Sequence, residues 1–143
     1  NIMVVDDYAH HPTEGEATIK AAKTGWQRRV LAIFQPHLFT RTRDFYKEFS
    51  SALQISDYVI LTDIYPAREK PIPNVSSKLI YDDLKKVMKN KCVLVSDLDH
   101  LVELIFQKVK SGDMVLTMGA GSIWRYSDSF YRKLLIIKEN ELI

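Results

Sequence analysis

Short apolar runs alternate with longer amphipathic stretches along the whole of the 143-residue chain. Each apolar run is rich in Val, Ile and Leu and is bounded by polar residues or glycine, which is typical of strands that are covered on both faces. The pattern predicts strands at residues 2–6, 29–34, 58–62, 92–96 and 114–118.

Between these runs, apolar residues recur at helical spacing. Thr13 with Glu16, and Ser96 with Asp99, have the spacing of a capping box, so we expect helices to begin beside them. In the second helix we expect one buried apolar stripe that includes Phe45. The predicted helices cover residues 13–25, 40–55, 76–90, 97–111 and 122–139.

Strands that alternate with helices indicate an α/β fold. We predict a three-layer, Rossmann-like domain in which a mainly parallel sheet of about five or six strands carries helices on both faces. Residues 1–143 suit a single domain, and no internal repeat or low-complexity tract suggests a second one. The chain enters a strand directly after Asn1, from which we expect it to be a piece of a longer protein.

The composition argues against several classes of function. With 46% hydrophobic and 27% charged residues the chain is ordinary for a globular protein, and its net charge of +2 provides no basic surface for nucleic acid. Cys92 is the single cysteine, which excludes an internal disulfide and suits a reducing cytoplasm. No apolar stretch reaches the length of a membrane span and no signal peptide is recognisable, so we expect no membrane partner.

Polar segments follow four of the predicted strands. In open α/β sheets, ligands bind at the carboxyl ends of the strands. The segments that leave those ends should share one rim of the sheet, and they are DDYAHHPT, QPHLFTRTR, DIYPARE and MGAGS. We therefore expect the functional site at this rim.

The first segment, DDYAHHPTE, concentrates ionisable side chains between a strand and a helix. One interpretation is a helix cap with solvated histidines, and another is a metal site made by His10, His11 and Glu14. We expect no metal there, because adjacent histidines in an extended chain point to opposite sides. Ligand binding is the interpretation that we favour.

The second segment places Arg41 and Arg43 in the first turn of a helix, where the helix dipole favours acidic side chains. A guanidinium beside free backbone amides suits a carboxylate or a phosphate. The alternative is a surface arginine paired with Asp44, which fits Arg43 better than Arg41. We therefore predict anion binding by Arg41, with His37 facing the same space.

Three further residues are weaker candidates. Gly119 and Gly121 in MGAGS either let a ligand approach the backbone or form a tight turn. The segment matches neither GxGxxG nor GxxxxGKS, so it indicates no particular nucleotide site. Glu69 is a candidate only through its expected position at the rim.

Taken together, the motifs DDYAHHPTE, FQPHLFTRTRDF, DIYPAREKPI and MGAGSIW closely resemble the C-terminal domain of the Mur ligases. They follow one another in order over residues 6–124. The first motif is shared in part with sister ligases and with a cell-wall recycling ligase. The QPH-x-F-T-R-T stretch is similar to the members that join L-alanine to UDP-N-acetylmuramate.

The resemblance implies a cytoplasmic, ATP-dependent amide-bond-forming ligase of peptidoglycan synthesis with three domains. This domain would close over an N-terminal UDP-sugar domain and a central ATPase domain, which are both absent from these residues. ATP with Mg²⁺ would convert the carboxylate of UDP-N-acetylmuramate into an acyl phosphate, which the amine of L-alanine attacks. The isolated domain would be inactive and would bind neither cofactor tightly.

The resemblance also implies roles for individual residues. Asp7 would face the nucleotide and the neighbouring domain. Tyr8 and His10 would line the substrate region, and His10 is the one candidate for a catalytic group. His37 and Arg41 would hold the incoming amino acid, Arg41 through its carboxylate.

One position departs from the family pattern. Relatives often carry QPHR, but Leu38 stands where that second arginine would be, so the carboxylate would depend more heavily on Arg41. Two alternatives remain open at this point. The chain could be the equivalent domain of a sister Mur or cell-wall recycling ligase, or a non-catalytic α/β module that binds an acidic metabolite.

Overall fold

A computed structural model describes residues 1–141, and its centre is a parallel sheet of five strands. The strands are β1 (Met3–Asp7), β2 (Val30–Phe34), β3 (Tyr58–Thr62), β4 (Cys92–Val95) and β5 (Met114–Met118). Their order across the sheet is β1-β5-β2-β3-β4. The predicted α/β class and the five predicted strands are confirmed, and each strand lies within a residue of its predicted bounds.

The predicted helices are also present within residues 1–141. They are α1 (Pro12–Trp26), α2 (Phe39–Leu53), α3 (Lys78–Met88), α4 (Leu101–Lys108) and α5 (Ile123–Glu141). The fourth is shorter than the predicted 97–111, because residues Leu98–His100 form a 3-10 turn and the backbone is already extended at Val109. Among the described residues, no helix is both long enough and apolar enough to cross a bilayer.

The order of the strands explains why helices cover both faces. The chain passes through β1, β2, β3 and β4 in one direction, so right-handed crossovers place α1, α2 and α3 on one face. The return from β4 to β5 places α4 on the other face, and α5 joins it there. Within β2, Ala32 and Phe34 pack into the core between the sheet and helices α1, α2 and α3. Leu31 and Ile33 pack into the core between the sheet and helices α4 and α5, as the two-residue period of a strand requires.

The beginning of α1 differs from the predicted capping box. The helix begins at Pro12, and the carboxylate of Glu14 accepts hydrogen bonds from the N–H groups of His10 (3.2 Å) and His11 (3.0 Å). Proline suits the first helical position because its missing N–H has no intrahelical partner to lose. The predicted cap at Thr13 is therefore wrong.

Two other local predictions are also wrong. Asp97, and not Ser96, accepts a hydrogen bond from the N–H of Asp99 (2.9 Å) before α4. Phe45 is 41% exposed, although Phe49 on the same helix is buried. Phe45 borders an open cleft of about 670 Å³ between the first turn of α1 and the side of α2, so this end of the apolar stripe meets solvent.

The sheet order also determines where a ligand can approach. Strand β5 lies between β1 and β2, yet its following helix α5 lies on the opposite face from α1 and α2. The loops that leave these neighbouring strands therefore diverge and open a crevice at their carboxyl ends. All four polar segments follow strand ends at this one edge, as predicted.

Candidate functional site

His37 and Arg41 form the centre of the site. Nη1 of Arg41 lies 3.2 Å from Nδ1 of His37 and 3.4 Å from the carbonyl oxygen of the same residue. Both residues are half-buried. Within residues 1–141, no carboxylate oxygen lies within 4.0 Å of the Arg41 guanidinium. The described chain therefore supplies this cation with no ion-pair partner.

The imidazole of His37 is held in its neutral form. Burial lowers the pKa of His37, and the nearby charge of Arg41 lowers it further. A neutral ring leaves a lone pair on Nδ1, so Nη1 of Arg41 donates a hydrogen bond to it. The positive charge of the pair therefore resides on the guanidinium.

Arg43 provides a contrast within the same helical turn. It is exposed, and its Nε lies 2.8 Å from Oδ1 of Asp44. The hydrogen bond that Arg43 donates to Asp44 raises the pKa of Arg43, and the same contact lowers the pKa of Asp44. Arg43 thus forms the surface pair that the sequence suggested for it, whereas Arg41 does not.

Leu38 carries the backbone from β2 into α2 in a rare conformation. Its φ of 75° and ψ of 138° lie where residues with a side chain seldom occur. Hydrogen bonds from the Leu38 N–H to the Tyr65 carbonyl (3.0 Å) and from the Tyr65 N–H to the Pro36 carbonyl (2.8 Å) hold it there. Such strain persists only where the surroundings enforce it, and it is frequent at functional sites. Here the two hydrogen bonds with Tyr65 fix the segment that carries His37.

Tyr65 supports the ring of His37. The two rings lie nearly parallel, at 12°, with their centroids 5.7 Å apart. Tyr65 also meets Gly121, where an added Cβ would clash with Cγ of Tyr65. Gly121 therefore permits close packing of a side chain. Sequence reasoning missed Tyr65, for which the only signal is its position two residues after Asp63 in the rim segment DIYPARE.

Gln35 joins the loops that follow β2 and β5, and it was also missed. It is 3% exposed, its Oε1 accepts from the N–H of Ile123 (3.1 Å), and its Nε2 donates to Oγ of Ser122 (3.2 Å). Gly119 has a φ of 152°, and an added Cβ there would lie 2.9 Å from the Gln35 carbonyl oxygen. The contacts of both glycines thus favour the tight-turn interpretation of MGAGS.

Glu69 reaches across from the β3 loop and caps α2. Its carboxylate accepts hydrogen bonds from the N–H of Thr40 (3.0 Å) and from the hydroxyl of the same residue. These bonds lower the pKa of Glu69, so the side chain is ionised at neutral pH. The acidic group that a helix N-terminus favours is present, but it comes from a distant loop.

His10 links the first segment to this centre. Its ring centroid is 6.1 Å from that of His37 and 5.1 Å from that of Tyr8, which is 70% exposed. Nδ1 of His10 lies 2.9 Å from the carbonyl oxygen of Tyr8. Because a carbonyl only accepts, Nδ1 carries the proton and Nε2 has a free lone pair.

Asp7 turns toward its own loop. Its carboxylate accepts hydrogen bonds from the N–H of Ala9 (2.8 Å) and from the hydroxyl of Thr18 (3.2 Å). These contacts fix the beginning of the segment that carries His10. A role for Asp7 toward a nucleotide or another domain stays a prediction.

His10 and His11 lie on the same side of the chain, which contradicts the argument made against a metal. Their ring centroids are 4.8 Å apart. One carboxylate oxygen of Glu14 accepts hydrogen bonds from both of their N–H groups. His11 itself has extended backbone (φ −103°, ψ 151°), so extended backbone at this position does not keep the two rings apart.

Comparison with known proteins identifies the family of this chain. The family model for "Mur ligase, glutamate ligase domain" matches residues 1–121. The chain belongs to this family. The resemblance seen in the four motifs is thereby confirmed.

Two sequence relatives and one solved structure that match this Mur ligase domain are named for the same activity. UDP-N-acetylmuramate–L-alanine ligase from Carboxydothermus hydrogenoformans is 52% identical over 85% of this chain, and the one from Geotalea daltonii is 45% identical over 93%. The chain spans 26% and 29% of their lengths. The solved UDP-N-acetylmuramate–alanine ligase of Thermotoga maritima superposes with a TM-score of 0.76 at 32% identity, over 94% of this chain and 27% of that one.

Within the Mur ligase domain, the predicted site residues fall into two groups. Tyr8, His10, His37 and Arg41 converge at the rim. Asp7, Glu69 and the two glycines of MGAGS make contacts inside the domain that position those residues.

Proposed function

We propose that the chain is the amino-acid-binding, closing domain of an ATP-dependent ligase that joins L-alanine to UDP-N-acetylmuramate in peptidoglycan synthesis. The names of the relatives at 52% and 45% identity support the reaction. Because the chain spans less than a third of those relatives, the remaining domains are part of the proposal. We place the full enzyme in the cytoplasm.

The observation that carries the proposal is the half-buried guanidinium of Arg41 without an acidic partner in the described chain. A partly buried cation of this kind is stabilised by an anion that completes its hydrogen bonds. The carboxylate of L-alanine is such an anion. With Leu38 in place of a second arginine, Arg41 bears most of this contact, and neutral His37 fixes the orientation of its guanidinium.

Holding alanine by its carboxylate leaves the amino group free to attack. This positioning converts an encounter between two molecules into a reaction within one complex. The ammonium of alanine must first lose a proton, and Nε2 of His10 is the candidate acceptor, because the His10 ring centroid lies 6.1 Å from that of His37. Tyr8 then lines the outer side of the same space.

ATP and Mg²⁺ belong to the proposed full enzyme. The 143 residues contain no GxxxxGKS loop, and the acidic groups described at the rim are engaged in local hydrogen bonds. When bound by the central domain, ATP would supply the phosphoryl group of the acyl phosphate. This domain would contribute the amino acid, with Asp7 at the surface that closes, and closure would exclude water from the acyl phosphate.

The test is ATP-dependent phosphate release by the full-length enzyme with UDP-N-acetylmuramate and a panel of amino acids. We expect turnover with L-alanine and little with glutamate or diaminopimelate, and no turnover by the 143-residue chain alone. Preference for glutamate, diaminopimelate or a peptide would instead identify a sister or recycling ligase. A coding sequence without a GKT/S loop upstream of Asn1 would favour a module that only binds an acidic metabolite.

A further inference from the structure

Three side chains converge immediately before and within the first turn of α1. One potential ligand atom from each of His10, His11 and Glu14 lies within 4.8 Å of the others. The two imidazoles are neighbours, with ring centroids 4.8 Å apart, and Glu14 lies four residues after His10. We propose that these residues form a binding site for a divalent transition-metal ion, and that Zn²⁺ is its preferred ion.

Nδ1 of His10 lies 3.7 Å from Oε1 of Glu14, and the hydrogen bonds around this cluster leave one further potential ligand atom on each of these two residues without a described partner. Nδ1 of His10 donates to the Tyr8 carbonyl at 2.9 Å, which fixes the tautomer and leaves Nε2 free. Oε1 of Glu14 is held by two backbone N–H groups, which leaves Oε2 unoccupied in the described contacts. Metal-binding histidines commonly donate their second nitrogen to a carbonyl in this way, because that bond orients the ring.

The chemistry of the three groups selects the ion. Two imidazole nitrogens and one carboxylate oxygen suit Zn²⁺, and three protein ligands leave a fourth position open. Mg²⁺ and Ca²⁺ prefer sites built from oxygen atoms, so they should not compete here. The site therefore differs from any site that would hold the Mg²⁺ of ATP.

The site shares His10 with the proposed alanine-binding cluster. In a consequence that rests on the proposed function, a zinc ion on Nε2 of His10 would remove the base that receives the proton of the alanine ammonium. Zinc should then inhibit the full-length enzyme. His11 has no part in the proposed reaction, so its replacement should relieve this inhibition without lowering the basal activity.

The binding claim is tested by calorimetric titration of the untagged 143-residue chain with ZnCl₂ and, separately, MgCl₂. All proteins carry Cys92→Ser, so that the thiol contributes nothing. We expect saturable binding of one zinc ion and no heat from magnesium. His11→Ala and Glu14→Gln should each weaken zinc binding at least about tenfold.

The matched control is His100→Ala, because His100 lies 3.5 Å from Asp97 in a surface pair that offers a metal only two groups. This variant should bind zinc as tightly as the parent. Glu14→Gln keeps an oxygen that accepts the two N–H groups, and circular dichroism checks that each variant is folded. Zinc binding that is absent, or that is unaffected by both His11→Ala and Glu14→Gln, would overturn the site. Equal zinc inhibition of the full-length parent and its His11→Ala variant would overturn the inhibitory role alone.

Discussion

Charged side chains occupy both edges of the sheet, but they are arranged differently. At the amino ends of the strands, Arg29 lies 2.5 Å from Asp113 and Lys23 lies 2.6 Å from Asp57. At the carboxyl ends, the guanidinium of Arg41 has an imidazole nitrogen and a carbonyl oxygen as its described partners. Arg29 and Lys23 are thus paired with carboxylates of the chain, whereas Arg41 is not. Arg28, also at the amino edge, donates to the carbonyl oxygens of Asn1 and Gly112 (both 3.0 Å).

The carboxylates at the amino edge also hold the backbone. The side chain of Asp113 is 4% exposed and accepts a hydrogen bond from the N–H of Lys110 (2.7 Å). The carboxylate of Asp57 accepts a hydrogen bond from the N–H of Val30 (2.7 Å). These groups tie loops to strands, and their function is structural. Because charged residues are found at both edges, the candidate site is distinguished by the side chains that converge around His37 and Arg41, and charge alone does not identify it.

The largest expected effect is at the amino edge. Asp113→Ala leaves the Arg29 guanidinium and the Lys110 N–H without their partner. We expect a loss of about 2–3 kcal/mol in the free energy of unfolding, which is below the range for fully buried pairs because Arg29 is partly exposed. Urea unfolding of the 143-residue chain measures it. A loss under about 0.5 kcal/mol would show that this pair is not structural.

A smaller effect is expected where the two loops pack under the site. Gly121→Ala places a Cβ against Tyr65 and should cost about 1–3 kcal/mol, because the ring must move. The matched control is Gly25→Ala in α1, where an added Cβ meets nothing within 4 Å. Thermal unfolding of both variants checks the difference. Equal melting temperatures would contradict the packing assigned to Gly121 and Tyr65.

Arg41→Ala should leave stability almost unchanged. The described chain gives this guanidinium no ion pair to lose, so we expect a change below about 0.5 kcal/mol in the free energy of unfolding. Urea unfolding measures this change, and Asp113→Ala in the same experiment provides the reference value for the free energy of unfolding. A loss as large as that of Asp113→Ala would make Arg41 a structural residue and remove the contrast between the two edges.

The smallest expected effect is the response of stability to pH through His37. Its pKa is lower in the folded protein than its ordinary value near 6.5, so the unfolded chain binds the proton more readily. Stability is therefore lost as the pH falls below about 6.5 and is retained above it. His37→Gln should flatten this part of the profile when urea unfolding is repeated between about pH 5 and 7. Parallel profiles for parent and variant would contradict the neutral state of His37.

The fold and the position of the site follow from local patterns in the sequence. Apolar runs predict the strands, alternation predicts the parallel sheet, and a basic residue in the first turn of α2 identifies Arg41. The contacts that hold the site come from residues far apart in the chain, such as Glu69 with Thr40, Tyr65 with Gly121, and Gln35 with the beginning of α5. No periodicity reports such loop-to-loop contacts, so they were missed.

The error at residues 10 and 11 has a different cause. Extended backbone was expected to separate the two rings, but His11 is extended and the ring centroids still lie 4.8 Å apart. A single carboxylate oxygen of Glu14 accepts hydrogen bonds from both N–H groups. The strain at Leu38 was equally hidden, because a leucine gives no sign of a positive φ. Leu38 is a local departure from regular backbone, and its N–H donates to the carbonyl of the distant Tyr65.

The most direct test of the unpaired cation is the KM for L-alanine of the full-length enzyme carrying Arg41→Ala, with Arg43→Ala as the matched control. Loss of a charge-assisted, partly desolvated contact worth about 1.5–3 kcal/mol should raise this KM roughly 10- to 150-fold. The KM for ATP should change little, and Arg43→Ala should behave as the parent. An unchanged KM for L-alanine in Arg41→Ala, or an equal rise in Arg43→Ala, would contradict the account.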